Sequence, residues 1–164
     1  MKRKRKVLSK IAKTLNANQV KWSLGASFML NIRGLNVGVD DIDIRVLEKD
    51  FTLVKEILAY KGIVKEVVQN KKYQTKNFIK LEIDGKKIDV MAGFKVVKEG
   101  IVYSFPLDEN KAFDTEIINN EIIYLDSVHE WYEIYLAMER VDKIKRIEAF
   151  LETKSSNHVK TQLP

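Results

Sequence analysis

A chain of 164 residues with 45% hydrophobic residues can bury roughly two-thirds of the surface its unfolded form exposes, and it is too apolar for wholesale disorder. Zero cysteines exclude a disulfide scaffold, a thiolate metal site and a cysteine nucleophile. No apolar run nears the ~18–20 residues of a membrane span and no signal-peptide core is visible, so a cytoplasmic protein is expected. The net charge of +6 is local: "MKRKRKVLSKIAK" (1–13) holds seven Lys/Arg and no acid, while the rest of the chain has 22 Lys/Arg against 23 Asp/Glu, a net of −1. That segment is either the solvated start of a helix or a contact for phosphates, a membrane surface or an acidic partner.

Val7, Leu8, Ile11 and Leu15 fall at helical spacing, which predicts an amphipathic first helix ended by Asn16 and Asn18. "QVKWSL" (19–24) reads as a short strand, and Ser27 to Ile32 as a short helix closed by Gly34. "VDDIDIRV" (39–46) alternates, with Ile42, Ile44 and Val46 on one face and Asp41, Asp43 and Arg45 on the other. A helix is expected over about 50–61 with Asp50 as N-cap, then a strand from Ile63 to Val68 and a polar stretch, "QNKKYQTKN". Its "KKYQTK" is either a solvated loop or a contact for a triphosphate or nucleic acid. "FIKLEIDGKKIDVM" (78–91) predicts a hairpin about Asp84-Gly85, and "FDTEIINNEIIYL" a second about Asn119-Asn120.

Ser127 with Glu130 forms a capping box, after which Val128, Trp131, Tyr135 and Met138 share a helical face. Ile144, Ile147 and Leu151 continue it beyond a break near Val141-Asp142. The organisation is one domain over 1–154, helical over about 126–153, with a flexible tail at 155–164. The fold class is α+β, a mixed sheet flanked by helices. Trp22, Trp131, Tyr132 and Tyr135 read as core or interface aromatics. His129 reads as a surface residue, and two histidines without cysteine are too few for zinc.

The aspartates carry the chemistry. With Ile83 opposite Lys86 in the first hairpin, Lys80 falls opposite Asp89, and Asp89 points away from Ile88 and Val90. If that strand neighbours Asp41 and Asp43, three carboxylates share one sheet face. Two such charges ~4 Å apart repel by about 4 kcal/mol at an effective dielectric of 20. The cluster must be partly protonated, paired with a cation, or loaded with metal. Oxygen-only ligands favour Mg²⁺ or Mn²⁺, ions that share a substrate phosphate, activate a hydroxyl and neutralise a leaving pyrophosphate. The turn Gly25-Ala26-Ser27 at a helix start offers backbone N–H groups and a hydroxyl to phosphate.

That order of elements resembles the nucleotidyltransferase superfamily, the fold of DNA polymerase β, in its minimal form. The family pattern is a hydrophobic strand, Gly-Ser or Gly-Gly, nine to thirteen residues, Asp-h-[Asp/Glu]-h, and later h-[Asp/Glu]-h (h, hydrophobic). Here Ala26-Ser27, Asp41-Ile42-Asp43-Ile44 and Ile88-Asp89-Val90 take those places. "LDSVHEWYEIYLAMERVDKIKRIEAFL" is similar to the helical end of small uncharacterised prokaryotic members, so the resemblance spans about 18–152. It implies transfer of an NMP from an NTP, ATP among them, to a hydroxyl with release of pyrophosphate. Asp41 and Asp43 would bind metal, and Asp89 metal or the acceptor's proton. Gly25, Ala26 and Ser27 would hold the phosphates. One departure is Ala26 at the family's Gly, which fits without strain only if its φ is negative.

The acceptor, a small molecule, protein or RNA, lies outside these motifs, as does oligomeric state. One alternative is a non-catalytic module of this fold that binds a protein or RNA partner, as in a toxin–antitoxin pair. Another is a nucleic-acid-binding protein working through residues 2–13.

Overall fold

The computed structural model describes residues 1–65, 67, 71–75 and 77–162, with side chains to residue 156. Helix α1 (Lys2–Ala17) buries Leu8, Ile11 and Leu15 completely, the face its periodicity predicts. Each such side chain contributes about 1.5–3 kcal/mol relative to exposure. Strand β1 (Trp22–Gly25) leads directly into the seven-residue helix α2 (Ala26–Ile32), and β2 (Ile42–Val46) follows. The strand is shorter than the expected 39–46, so Asp41 stands just before it and Asp43 within it.

A 3₁₀ turn (Glu48–Asp50) precedes helix α3 (Phe51–Ala59). Asp50 holds the N-cap position but its side chain makes no capping hydrogen bond. Strand β3 (Ile63–Lys65) is shorter than expected, and Glu66 and Val68 lie outside the described residues.

Strands β4 (Asn77–Ile83) and β5 (Lys86–Ala92) form the expected hairpin, with Ile83 opposite Lys86 and Lys80 opposite Asp89. A hairpin of β6 (Phe94–Lys98) and β7 (Ile101–Phe105), not among the expected elements, makes a separate two-stranded sheet. Strands β8 (Asp114–Ile118) and β9 (Glu121–Leu125) form the last hairpin. Positive φ at both turn residues is shared by Asp84-Gly85 (49° and 74°), Glu99-Gly100 (51° and 76°) and Asn119-Asn120 (50° and 65°). This is the two-residue geometry that suits the right-handed twist of paired strands.

The seven-stranded sheet has the order β3-β4-β5-β2-β1-β9-β8. Parallel pairs β2/β5 and β1/β9 are embedded among antiparallel ones, so the sheet is mixed. With five α-helices around it among the described residues, the fold is α+β, as expected. Helix α4 (Val128–Met138) begins at the Ser127 cap, whose hydroxyl accepts the Glu130 N–H at 3.0 Å. It ends at Glu139 in the left-handed region (φ 59°), and α5 runs Val141–Gln162. The helix therefore continues through the start of the expected tail at 155. Among the described residues, no helix is long and apolar enough to cross a membrane.

Candidate active site

The site lies where β1, β2 and β5 run side by side. Strand β2 is antiparallel to β1, pairing Gly25 with Asp43, and parallel to β5, pairing Asp43 with Asp89. Strands in register stand about 4.8 Å apart, so one row across the sheet carries the small-residue turn and two of the three predicted aspartates. Asp41 is two residues before Asp43 on the same side. All three line a cleft of about 510 Å³, with Ala26 and Ser27 also on its wall.

The electrostatics follow from this register. Burial pushes the Asp43 carboxyl well above its ordinary value, and repulsion from Asp89 and Asp41 adds to it, with Lys80 opposing. Burial also raises Asp89, although the Lys80 ammonium, 3.1 and 3.3 Å from its two oxygens, pulls the other way. Lys80 is thus the cation that partly neutralises the cluster. Among the described residues, no three His, Asp or Glu side chains form a ready-made metal cage. The donor chemistry nevertheless fits a hard divalent ion, because half-buried carboxylates face one another and one holds its proton abnormally tightly.

The turn is built by close packing. Gly25 is extended (φ −119°), yet a Cβ there would lie 2.7 Å from Cε2 and Nε1 of the Trp131 indole and nearer still to Cζ2. Only glycine fits. Ala26 has φ 50°, so it adopts the left-handed backbone that glycine takes freely, at a cost of about 1–2 kcal/mol. The condition for an unstrained alanine is not met. Ser27 is buried, and its Oγ accepts the Asp40 N–H at 3.2 Å. That bond ties the turn to the acidic loop and leaves the hydroxyl hydrogen to donate elsewhere.

Several residues of the site were not legible in the sequence. Asp126, fully buried, accepts from Arg45 Nη1 at 3.0 Å and from Trp131 Nε1 at 2.8 Å. Arg45, 2% exposed, also meets Glu130 at 2.9 Å and donates to the Phe105 carbonyl at 2.8 Å. Burial works against the Glu130 charge, but the Arg45 hydrogen bond and charge, with Lys111, hold its carboxyl below the ordinary value. This network fixes the indole over Gly25.

Trp131 and Tyr135 form part of the cleft wall, as do Tyr73, Thr75 and Phe94. Of the stretch expected to be a solvated loop or a ligand contact, Tyr73 and Thr75 thus face the cleft, Lys71, Lys72 and Gln74 are exposed, and Lys76 lies outside the described residues. Tyr73 bridges to Val96, and the buried Thr75 hydroxyl accepts the Lys95 N–H at 3.0 Å. Lys143 and Arg140 line the same cleft. Lys143 is only 8% exposed, and among the described residues its ammonium makes no ion pair or side-chain hydrogen bond. Of the two histidines, His129 is exposed, away from the cleft lining.

No protein-family model matches this chain, and no curated protein does. Solved structures do match. A Thermotoga maritima protein, TM1012, provisionally described as a nucleotidyltransferase, is 26% identical with a TM-score of 0.67, covering 90% of this chain and 92% of that one. The lincosamide antibiotic adenylyltransferase LnuA, solved with lincomycin, is 17% identical with a TM-score of 0.57, covering 87% and 95%. ANT(2″)-Ia, solved with adenylyl-2″-tobramycin, is 9% identical with a TM-score of 0.58, covering 96% and 95%. The likeness extends over most of the chain in each case, and this chain has the nucleotidyltransferase fold.

Proposed function

We propose that this protein is a metal-dependent nucleotidyltransferase that moves an NMP from an NTP to an acceptor hydroxyl and releases pyrophosphate. The observation that carries the reading is the row Gly25, Asp43, Asp89 across three paired strands, with Asp41 beside it and one cleft over the three aspartates, Ala26 and Ser27. Asp41 and Asp43 are the residues to hold Mg²⁺ or Mn²⁺, with Asp89 as third ligand or as base. A bound divalent ion supplies charge neutralisation at the transferring phosphate.

The chain's own groups do the rest. The Ser27 hydroxyl hydrogen and the backbone about Gly25 and Ala26 meet phosphate oxygens. Lys143, buried and unpaired among the described residues, and Arg140 face the same space and suit the triphosphate tail. Asp89, with its raised proton affinity, suits proton acceptance from an attacking hydroxyl. Trp131 and Tyr135 exclude water from the back of the cleft. The likeness to two adenylyltransferase structures supports catalysis over a non-catalytic module.

The test is the melting temperature with ATP, GTP, CTP or UTP, each with and without Mg²⁺, on wild type and Asp41→Asn/Asp43→Asn. A nucleotide at ~100 times its Kd stabilises by about 2.7 kcal/mol, several degrees for this size. A Mg²⁺-dependent rise lost in the double variant is expected. No response to any nucleotide at millimolar concentration overturns the reading.

A further inference from the structure

Helix α1 breaks a local rule. Lys2, Lys6, Lys10 and Lys13 follow one another at i, i+4, i+8 and i+11, so they line one face, with Arg3 beside them. All five are exposed, and no acidic residue lies within the helix. Like charges at i, i+4 repel and destabilise an isolated helix, and a sequence that breaks a local rule commonly does so for function. The stripe spans about 16 Å at 1.5 Å rise per residue. Among the described residues a single acid pairs with it, Asp84 at the β4–β5 turn, which meets Lys10 and feels Lys6.

The stripe does not end at α1. Lys4 donates to the Val39 carbonyl, one residue from the cleft-lining Asp40, so the start of the helix adjoins the acidic loop. Past Asp84, strand β5 presents exposed Lys87, two residues before Asp89 on the same sheet face and close enough to act on its carboxylate. Lys80 then stands at Asp89 itself. Positive charge therefore runs from the helix, around the hairpin tip, to the acidic centre.

We infer that the acceptor is RNA, held by its phosphates along α1 and the β4–β5 hairpin so that a terminal ribose hydroxyl reaches Asp89. This rests on the nucleotidyltransferase reading. The hydroxyl oxygen bonds to the NTP α-phosphorus, the bond from that phosphorus to the bridging oxygen of the β-phosphate breaks, pyrophosphate leaves, and the hydroxyl proton passes to Asp89. A membrane surface fits less well, because the apolar face such a helix would insert is occupied: Leu8, Ile11 and Leu15 are fully buried in the core.

The experiment measures binding of a 5′-fluorescein single-stranded RNA of 20 nucleotides by anisotropy, for wild type and Lys2→Glu/Lys6→Glu/Lys13→Glu. With three or four phosphate contacts, wild-type affinity should fall about 20- to 50-fold between 50 and 200 mM salt. The triple variant should bind at least tenfold more weakly, with a shallower salt dependence. Its Mg²⁺·NTP melting shift should be unchanged, while labelled NMP transfer to the RNA, seen in wild type with a mixture of four NTPs, is lost. No RNA binding alongside an intact nucleotide shift overturns the acceptor assignment alone. RNA binding without any nucleotide response overturns the parent reading and the acceptor role together. Binding to phosphatidylserine vesicles but not to RNA assigns the stripe to membrane and overturns the proposal.

Discussion

Gly25 and Trp131 are in direct contact: the glycine's missing side chain is the space that the indole fills, with Cε2 and Nε1 2.7 Å from where a Cβ would stand. Gly25→Ala should therefore destabilise the fold by about 1–3 kcal/mol through overpacking, and weaken NTP binding by tilting the turn. Urea unfolding measures the first and nucleotide melting shifts the second. Combining it with Trp131→Leu should cost less than the sum of the two single changes, because the smaller side chain makes room. Strict additivity would show that the contact is not the cause.

The partner beneath that indole is charged. Asp126→Ala should cost about 3–5 kcal/mol, since it leaves the 2%-exposed Arg45 guanidinium with Glu130 as its one remaining carboxylate among the described residues. Asp126→Asn, which keeps an acceptor for Trp131, should cost less. Equal losses in the two variants, compared by denaturant midpoint, would locate the whole effect in the lost charge opposite Arg45 and leave the Trp131 hydrogen bond without a measurable share.

Asp43 gives the pH dependence. Its carboxyl is raised well above 3.8 by burial and by Asp89 and Asp41. A raised acid keeps its proton longer in the native state, so its contribution favours folding below that window. Stability is lost as pH climbs from 3.8 through the folded value, at up to about 1.4 kcal/mol per pH unit of that climb. In EDTA at neutral pH, Asp43→Asn should then be more stable than wild type. With Mg²⁺ and NTP the order should reverse, and unfolding curves across pH, with and without Mg²⁺, read both.

Ala26 can be probed in both directions. Ala26→Gly relieves left-handed strain but frees the unfolded chain by about 0.4–1 kcal/mol, so stability should change by no more than about 1 kcal/mol while NTP binding is kept or tightened. Ala26→Val, β-branched at φ 50°, should cost about 2 kcal/mol or more. A valine tolerated at no cost in urea unfolding would show that the turn can relax to negative φ.

Lys143→Met keeps the packed stem and removes the ammonium. It should leave stability unchanged or improved, because a cation that no described residue pairs no longer sits at 8% exposure. Affinity for ATP should fall about tenfold while AMP binding is spared, as titration calorimetry would report. Equal losses for ATP and AMP would move Lys143 away from the triphosphate.

What the sequence made legible was local. Asp-x-Asp alternation marked Asp41 and Asp43, and the Asp84-Gly85 turn set the register that puts Lys80 opposite Asp89. That β5 lies beside β2 was only a condition, since parallel neighbours share no turn to announce them. The β6–β7 hairpin has its one local signal in Glu99-Gly100, a weaker turn pair than Asp-Gly. Arg45 and Asp126 are 81 positions apart, and no periodicity links them. Lys143 lies in "ERVDKIKRIEAF", where it looks like one more solvated charge. Its burial depends on how α5 returns against the cleft, a long-range property.

The dependence on Asp126 has a consequence for biosynthesis. The Asp126 N–H donates to the Leu24 carbonyl at 3.0 Å, and its carboxylate holds Arg45 and Trp131. A nascent chain that has left the ribosome only as far as Ala92 carries Asp41, Asp43 and Asp89, yet lacks the counter-charge for Arg45 and the cover for Gly25. Translation must pass Trp131 before the early strands can lock. A premature stop upstream of that point therefore yields a substrate for proteolysis rather than a weakened enzyme.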